Sequence, residues 1–223
     1  MARPSKFGFD PYVEDDSRRQ GRRKVQRNFL IVCEGAETEP RYFDAIRKRM
    51  KSGAGSKITI VGAGTHTQEL VRRADLEIEQ RRKDGLPGYY YVWIVFDKDS
   101  FSDADFDQTV AMIASKDALA KPNVRPFWRS AWSNEAFELW YLLHFQEVSV
   151  PMPRERIFDL LTGHLGCKYQ KNEDGMFERL APMLSQAEFR ASQLLRKMAG
   201  LLPHQCNPCT RVGELVSELI SYT

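Results

Sequence analysis

Long hydrophobic runs are missing from this sequence. No stretch approaches the ~20 apolar residues that a membrane-spanning helix requires. The first residues are polar and basic, without the apolar centre of a secretory signal. Neither a helical membrane anchor nor export is expected. Cysteine is scarce as well, with four in 223 residues at irregular spacing. That excludes a disulfide framework, which a chain of this length does not need, and points to a reducing cytoplasm. Charge of one sign hardly accumulates: 33 Lys and Arg face 30 Asp and Glu, for a net of +3. No internal repeat is present.

The small net charge is unevenly placed. Residues 1–27 hold eight Lys or Arg against four Asp or Glu, a surplus of four that leaves the remainder at −1. The surplus sits chiefly at Arg18, Arg19, Arg22, Arg23, Lys24 and Arg27. Residues 1–26 are polar, contain Pro and Gly and lack periodicity, the composition of a flexible arm. Such an arm either holds a polyanion, with Arg22, Arg23, Lys24 and Arg27 as nucleic-acid contacts, or is a solvated tail.

What is present is an apolar fraction of 42%, enough for a sizeable core. The strongest stretch is YYYVWIVFDKDSF, residues 89–101. Its first half reads as a strand buried on both faces, of the kind found inside a parallel sheet. It stops at Asp97-Lys98-Asp99. In open α/β sheets, ligands sit beyond the carboxyl ends of the strands. On an extended backbone Asp97 and Asp99 share a side, roughly 7 Å apart, and repel by roughly 2 kcal/mol at an effective dielectric of about 20. A hard divalent cation, Mg²⁺ or Mn²⁺, would turn that repulsion into attraction. Otherwise one Asp caps the next helix and the other sits in a turn.

A second buried strand, residues 28–33, ends at Glu34-Gly35. Thr38 and Pro40 open a helix reaching about residue 51. Glu37 and Glu39 follow the strand, and acids at a helix start also simply complement its dipole. Residues 57–61 form a short strand and residues 65–83 a helix. The Gly62-Ala63-Gly64 turn has neither a full dinucleotide fingerprint nor a Gly-Lys-Ser/Thr ending. A helix over about 102–120 and a fourth strand over 124–128 come next. Ser133 or Asn134 can cap a helix that is apolar on almost every side to Phe145. Glu138 lies inside it, and a buried carboxylate needs a partner. His144, near its end, is a packed helix histidine or a site residue.

From residue 151 the composition shifts to prolines and short helical patterns, at about 155–162, 175–184, 185–200 and 210–221. His204, Cys206 and Cys209 form half of a zinc pattern, which only Cys167 and His164 could complete. The alternative is a turn at Asn207-Pro208, with Thr210 capping the last helix. The chain thus divides into an arm (1–26), an α/β core (27–150) and a helical C-terminal part packed on it (151–223).

Three segments deliver acid to one sheet edge: Glu34, the Asp97/Asp99 pair and Glu138. A strand-end Glu with a strand-end Asp-x-Asp is the layout of a Toprim-type site, whose chemistry is metal-assisted phosphodiester cleavage or transfer. Haloacid-type phosphatases also place Asp-x-Asp after a strand. They want Thr or Val two residues on, where this chain has Phe101, and they use the first strand rather than the third.

The motifs FLIVCEGAETEPRYF (29–43), VWIVFDKD (92–99), SNEAFELW (133–140) and NPCT (207–210) together resemble those of RloB-like proteins, the family of AbiLii. The resemblance implies a Toprim-like fold and a role in bacterial anti-phage abortive infection. It also implies a companion ABC-type ATPase of the RloA or AbiLi kind. Carried over, the site would be Glu34, Asp97 and Asp99, which would hold Mg²⁺ (or Mn²⁺), with Ser133, Asn134 and Glu138 close by; Glu138 joins the three as a candidate catalytic residue on its own placement. Glu37, Ser133, Asn134 and His144 are candidates to line the site. The expected activity is nuclease action on DNA or RNA, and a homodimer is allowed. The competing expectation is a non-catalytic regulatory subunit that binds partner or nucleic acid through a degenerate acidic site.

Overall fold

The computed structural model describes residues 27–49, 57–64, 67–99, 101–122 and 124–221. Arg22, Arg23 and Lys24 lie outside the described residues.

The first half alternates strand and helix: β1 (Phe29–Cys33), α1 (Thr38–Arg49), β2 (Ile58–Gly62), α2 (Thr67–Lys83), β3 (Tyr91–Asp97), α3 (Asp103–Asp117) and β4 (Phe127–Asn134). Alternation of this kind calls for a parallel sheet with helical crossovers. The strands pair in the order β2-β1-β3-β4-β5, with β1 to β4 parallel and β5 (Cys209–Thr210) antiparallel to β4. The fold is therefore α/β with a mostly parallel sheet. Every residue of β1 is buried, as are residues 92–97 of β3, which accounts for their unbroken apolar runs.

Side-chain alternation assigns helices to both faces. Phe96 of β3 meets Phe106 of α3, which also packs on Trp132 of β4. Trp93 points to the other face, where its indole N–H donates to Glu218 of α8 (Val212–Ile220), 3.1 Å away. The chain leaves β1 toward β2 on one side and returns past β1 to β3 on the other. The order thus reverses between β1 and β3, where crossover loops diverge and leave a crevice.

The second half adds α4 (Glu138–Phe145), α5 (Arg154–Leu165), α6 (Met176–Leu180) and α7 (Leu184–Lys197) before β5 and α8. α4 is buried from Glu138 through His144. Its Trp140 donates to the Tyr42 hydroxyl of α1 (2.8 Å), and Tyr42, Phe137, Tyr141 and Phe177 meet ring to ring. One buried hydrophobic cluster runs from β1 through α4 and α7 to α8. Among the described residues, no helix is long and apolar enough to cross a membrane.

The structure departs from the sequence reading at β4. The expected strand over 124–128 instead runs Phe127–Asn134, and Ser133 and Asn134 cap nothing. Their backbones are used in ladders, Ser133 opposite both Asp97 and Thr210, and Asn134 opposite Cys209. Pairing on both edges outweighs cap propensity here. α4 starts four residues later behind Phe137, with no side-chain cap. Thr210 lies in β5 rather than at a helix cap, though its hydroxyl accepts from the Val212 N–H (3.3 Å).

Candidate functional site

The crevice between β1 and β3 gathers the carboxylates. β1 delivers Glu34 just past its last residue, and β3 ends on Asp97. The Glu34 carboxylate accepts from the Asp97 backbone N–H at 3.0 Å, which fixes it against the tip of β3. Gly35 then turns the chain into α1. The carboxylate of Glu39 lies over it, so close that a Cβ on Gly35 would collide with Glu39 Oε2. The next strand yields space at the same point, since a Cβ on Gly62 would meet Ala36 backbone at 3.0 Å. Glu138, in the first turn of α4, approaches from the other side and accepts from the Tyr169 hydroxyl at 3.1 Å.

Asp99 is not on an extended backbone. Its φ is +26°, in the left-handed region, which Asp tolerates better than most residues. The chain turns there while remaining tied to β4, through Lys98 N–H to Ser133 O (2.8 Å) and Asp99 N–H to Glu135 O (3.1 Å). The ammonium of Lys98 points away to Phe101 O and Asp103. Arg154, the first residue of α5, bridges the two aspartates. One guanidinium nitrogen donates to Asp99 Oδ2 at 2.6 Å and another to Asp97 Oδ2 at 3.2 Å. Lys171 and Asn172 complete a cleft of about 290 Å³ lined by these groups.

Charge crowding shows in the proton affinities. Burial pushes Glu34 up to about 7 against the relief given by the Asp97 N–H, and Glu39 and Asp99 push it further. Asp97 is held well above the carboxylate range, first by burial and then by Glu39, Glu138 and Glu34. Burial also raises Glu39, with Glu138 adding to it, while the Glu39 and Gly35 N–H groups oppose. Burial works against the charge on Arg154, but Asp97, Asp99 and Glu138 outweigh it and hold the guanidinium above its ordinary value. Two polar atoms in this cleft are buried without a hydrogen-bond partner: the acceptor Asp97 Oδ1 and the donor Arg154 Nε.

The oxygen-rich donor set suits a hard divalent cation such as Mg²⁺ or Mn²⁺. Among the described residues, no three His, Cys, Asp or Glu side chains already close on a single metal-binding point. Arg154 holds the position where the two aspartates converge. Glu34, Asp97 and Asp99 thus carry oxygen donors of the kind such an ion takes, and Arg154 occupies the two aspartates.

Of the remaining sequence candidates among the described residues, only Glu37 lines the cleft. Glu37 borders the cleft, but its exposed carboxylate pairs with Arg41 at 2.6 Å. Ser133 and Thr210 share a buried hydroxyl–hydroxyl hydrogen bond of 2.9 Å, and Asn134 donates to His204 O (3.0 Å), so both residues tie β4 to the C-terminal segment. His144 is buried against Trp140 with Nδ1 on Trp140 O (2.9 Å), and burial lowers it to about 4. Arg27 precedes β1, its guanidinium 5.1 Å from the Tyr90 ring centre. At roughly 3.3 Å per residue along the strand, that is about 20 Å from Glu34, on the opposite rim. His204 is held by Asp107 (2.6 Å), and among the described residues the possible zinc partners do not gather around it.

Sequence reasoning missed Glu39, Arg154, Tyr169 and Lys171. Glu39 was hidden by its acceptable role as a first-turn acid, although the glycine four residues earlier was a signal for it. The other three come from the C-terminal part, and nothing in their local sequence marks them.

A family model described as RloB-like protein matches residues 29–219. No curated protein and no solved structure matches the chain.

Proposed function

This chain belongs to the RloB-like family, and from that premise we propose that it is a metal-dependent nuclease of an anti-phage abortive-infection system. Family membership suggests the defence association. The observation that carries the chemistry is the convergence of Glu34, Asp97 and Asp99 at the β1/β3 crevice, with Glu39 and Glu138 behind them. Glu34, Asp97 and Asp99 would hold Mg²⁺ or Mn²⁺, in the manner of a Toprim-type site. The bound ion would supply Lewis acidity toward a phosphodiester and its leaving oxygen.

The chain's own groups do the rest. In hydrolysis, water adds to phosphorus, one P–O ester bond breaks, and a proton ends on the leaving oxygen. Glu138, anchored by Tyr169, and Glu39, seated on the Gly35 turn, form the acidic back of the pocket. The packed aromatic layer behind Phe137 excludes water from that side. Control by an ABC-type ATPase, action on DNA or RNA, a cytoplasmic setting and a homodimer belong to the same proposal.

One observation favours a second reading, a binding or regulatory subunit. The Arg154 bridge across Asp97 and Asp99 is also what a purely structural ion pair would look like. The two readings part on Asp97→Ala. The nuclease reading expects Mg²⁺- or Mn²⁺-dependent cleavage of a DNA and RNA panel by the wild type together with its partner, and none by the variant. Equal cleavage by both, or unchanged phage protection in cells carrying Asp97→Ala, refutes it.

A further inference from the structure

The cleft has walls of opposite charge. The sheet rim and α4 supply carboxylates, whereas the only cationic side chains among its lining residues, Arg154 and Lys171, come from the C-terminal part. We propose that Arg154 and Lys171 form a phosphate-binding wall, and that Arg154 is an exchangeable counter-ion, resting on Asp97 and Asp99 until a phosphodiester arrives. This rests on the metal-site reading above and adds to it the residues that grip the substrate.

Three features of the Arg154 contact favour exchange over a fixed pairing. Its fork is divided, with one bond to each aspartate, where a carboxylate partner chosen for stability would be gripped by two parallel bonds. Its Nε is buried and unpartnered, as is Asp97 Oδ1 across the bridge. One is a donor and the other an acceptor. A phosphate oxygen would satisfy the first; the Asp97 carboxyl already has the Phe137 backbone N–H beside it, so Arg154 Nε is the loose end that a phosphate would close. Finally, Lys171 stands at the same mouth, exposed and without an ion pair among the described residues, its ammonium 5.7 Å from the Phe158 ring centre. Its backbone is pinned, since its carbonyl accepts from the Thr38 hydroxyl at 2.7 Å. With Asp97 and Asp99 engaged by a divalent ion, Arg154 loses its anionic partners and turns its planar fork to the phosphate, a geometry that guanidinium matches and ammonium does not.

The test uses the full chain and two probes, Mn²⁺ alone and inorganic phosphate. Electron paramagnetic resonance reads free Mn²⁺ in titrations of wild type, Arg154→Ala, Arg154→Lys and Lys171→Ala. Broadening of the phosphate ³¹P line by protein-bound Mn²⁺ reads phosphate binding beside the ion. Arg154→Ala is expected to bind Mn²⁺ tighter by about fivefold or more, because a competing charge is gone, and phosphate weaker by about tenfold. Arg154→Lys should restore part of the phosphate affinity, and Lys171→Ala, at an exposed position, should weaken phosphate without changing Mn²⁺ affinity. Normal Mn²⁺ uptake with phosphate binding unchanged in Arg154→Ala and Lys171→Ala overturns the proposal and leaves the metal site standing. Should Arg154→Ala fail to fold, the Arg154→Lys and Lys171→Ala results decide in the same way. Failure of the wild type and every variant to take up Mn²⁺ overturns the metal reading and this proposal with it.

Discussion

Replacing Glu34 by Gln should stabilise the protein at pH 8 while removing a charge that the proposed chemistry uses. Glu34 is raised from 4.5 to about 7 in the folded chain. Between those values the folded state binds a proton that the unfolded state has lost, so this group's contribution is fully present below pH 4.5 and is lost as pH rises through 7. The size of the loss at pH 8 is about 3 kcal/mol. In Glu34→Gln the new amide oxygen can still accept from the Asp97 N–H, and the cost of a buried anion is gone. Removing that anion also relieves Asp97, which it helps to raise, and this can only add to the gain. His144 acts in the opposite direction. It is lowered from 6.5 to about 4, so its contribution is present above pH 6.5 and is lost as pH falls through 4. The wild-type profile alone therefore mixes two trends, but the difference between wild type and variant cancels His144. Urea unfolding in metal-free buffer from pH 4.5 to 8 should show the two proteins nearly equal at the acid end. They should diverge to about 3 kcal/mol by pH 8, or about 6–12 °C in Tm for a chain of this size. Saturating Mg²⁺ should narrow the gap at pH 8 by stabilising the wild type. A variant no more stable than wild type at pH 8, with an unchanged pH slope, refutes the account of a crowded, buried carboxylate.

Four further substitutions, two of them a pair, follow from the packing. Gly35→Ala would force the Glu39 carboxylate off the Gly35 and Glu39 N–H groups, and should cost about 1–3 kcal/mol in denaturant unfolding, with loss of any metal-dependent cleavage. Gly213→Ala places a Cβ 3.1 Å from the Trp140 ring, which cannot retreat while its indole donates to Tyr42. Despite the better helix propensity of Ala, Tm should fall, consistent with about 1–3 kcal/mol of overpacking. Ser133→Ala and Thr210→Val, taken singly and together, should show a coupling of about 1 kcal/mol in a double-mutant cycle. Strict additivity would mean that their contact contributes nothing.

Much of the α/β half was legible in the sequence because its strands are buried on both faces and announce themselves as apolar runs. β1 and β3 could be placed, their acidic tips identified, and the helices between them inferred from spacing. β4 was harder. Its sequence, FWRSAWSN, is polar enough to suggest a cap, yet Ser130, Ser133 and Asn134 are buried. Ser133 and Asn134 sit where the ladder to β5 and the returning chain meet β4, and that convergence is a tertiary fact. Glu39 failed for a similar reason: a first-turn acid has a sufficient local explanation, and only the missing Cβ at residue 35 reveals where its carboxylate goes. Arg154 and Lys171 were illegible because the groups they meet lie far back in the chain, 55 residues for the Arg154–Asp99 pair, and a cation beside Pro153 or in a polar loop carries no signature.

The two-residue strand β5 has a consequence for how the protein can be divided. It covers the outer margin of β4 at the end nearest Asp97. A version trimmed after residue 150 would leave that margin bare, a ready template for intermolecular strand addition. It would also surrender Arg154 and Tyr169. Dissecting the α/β half for biochemistry should thus yield aggregates or a sticky oligomer rather than a working fragment.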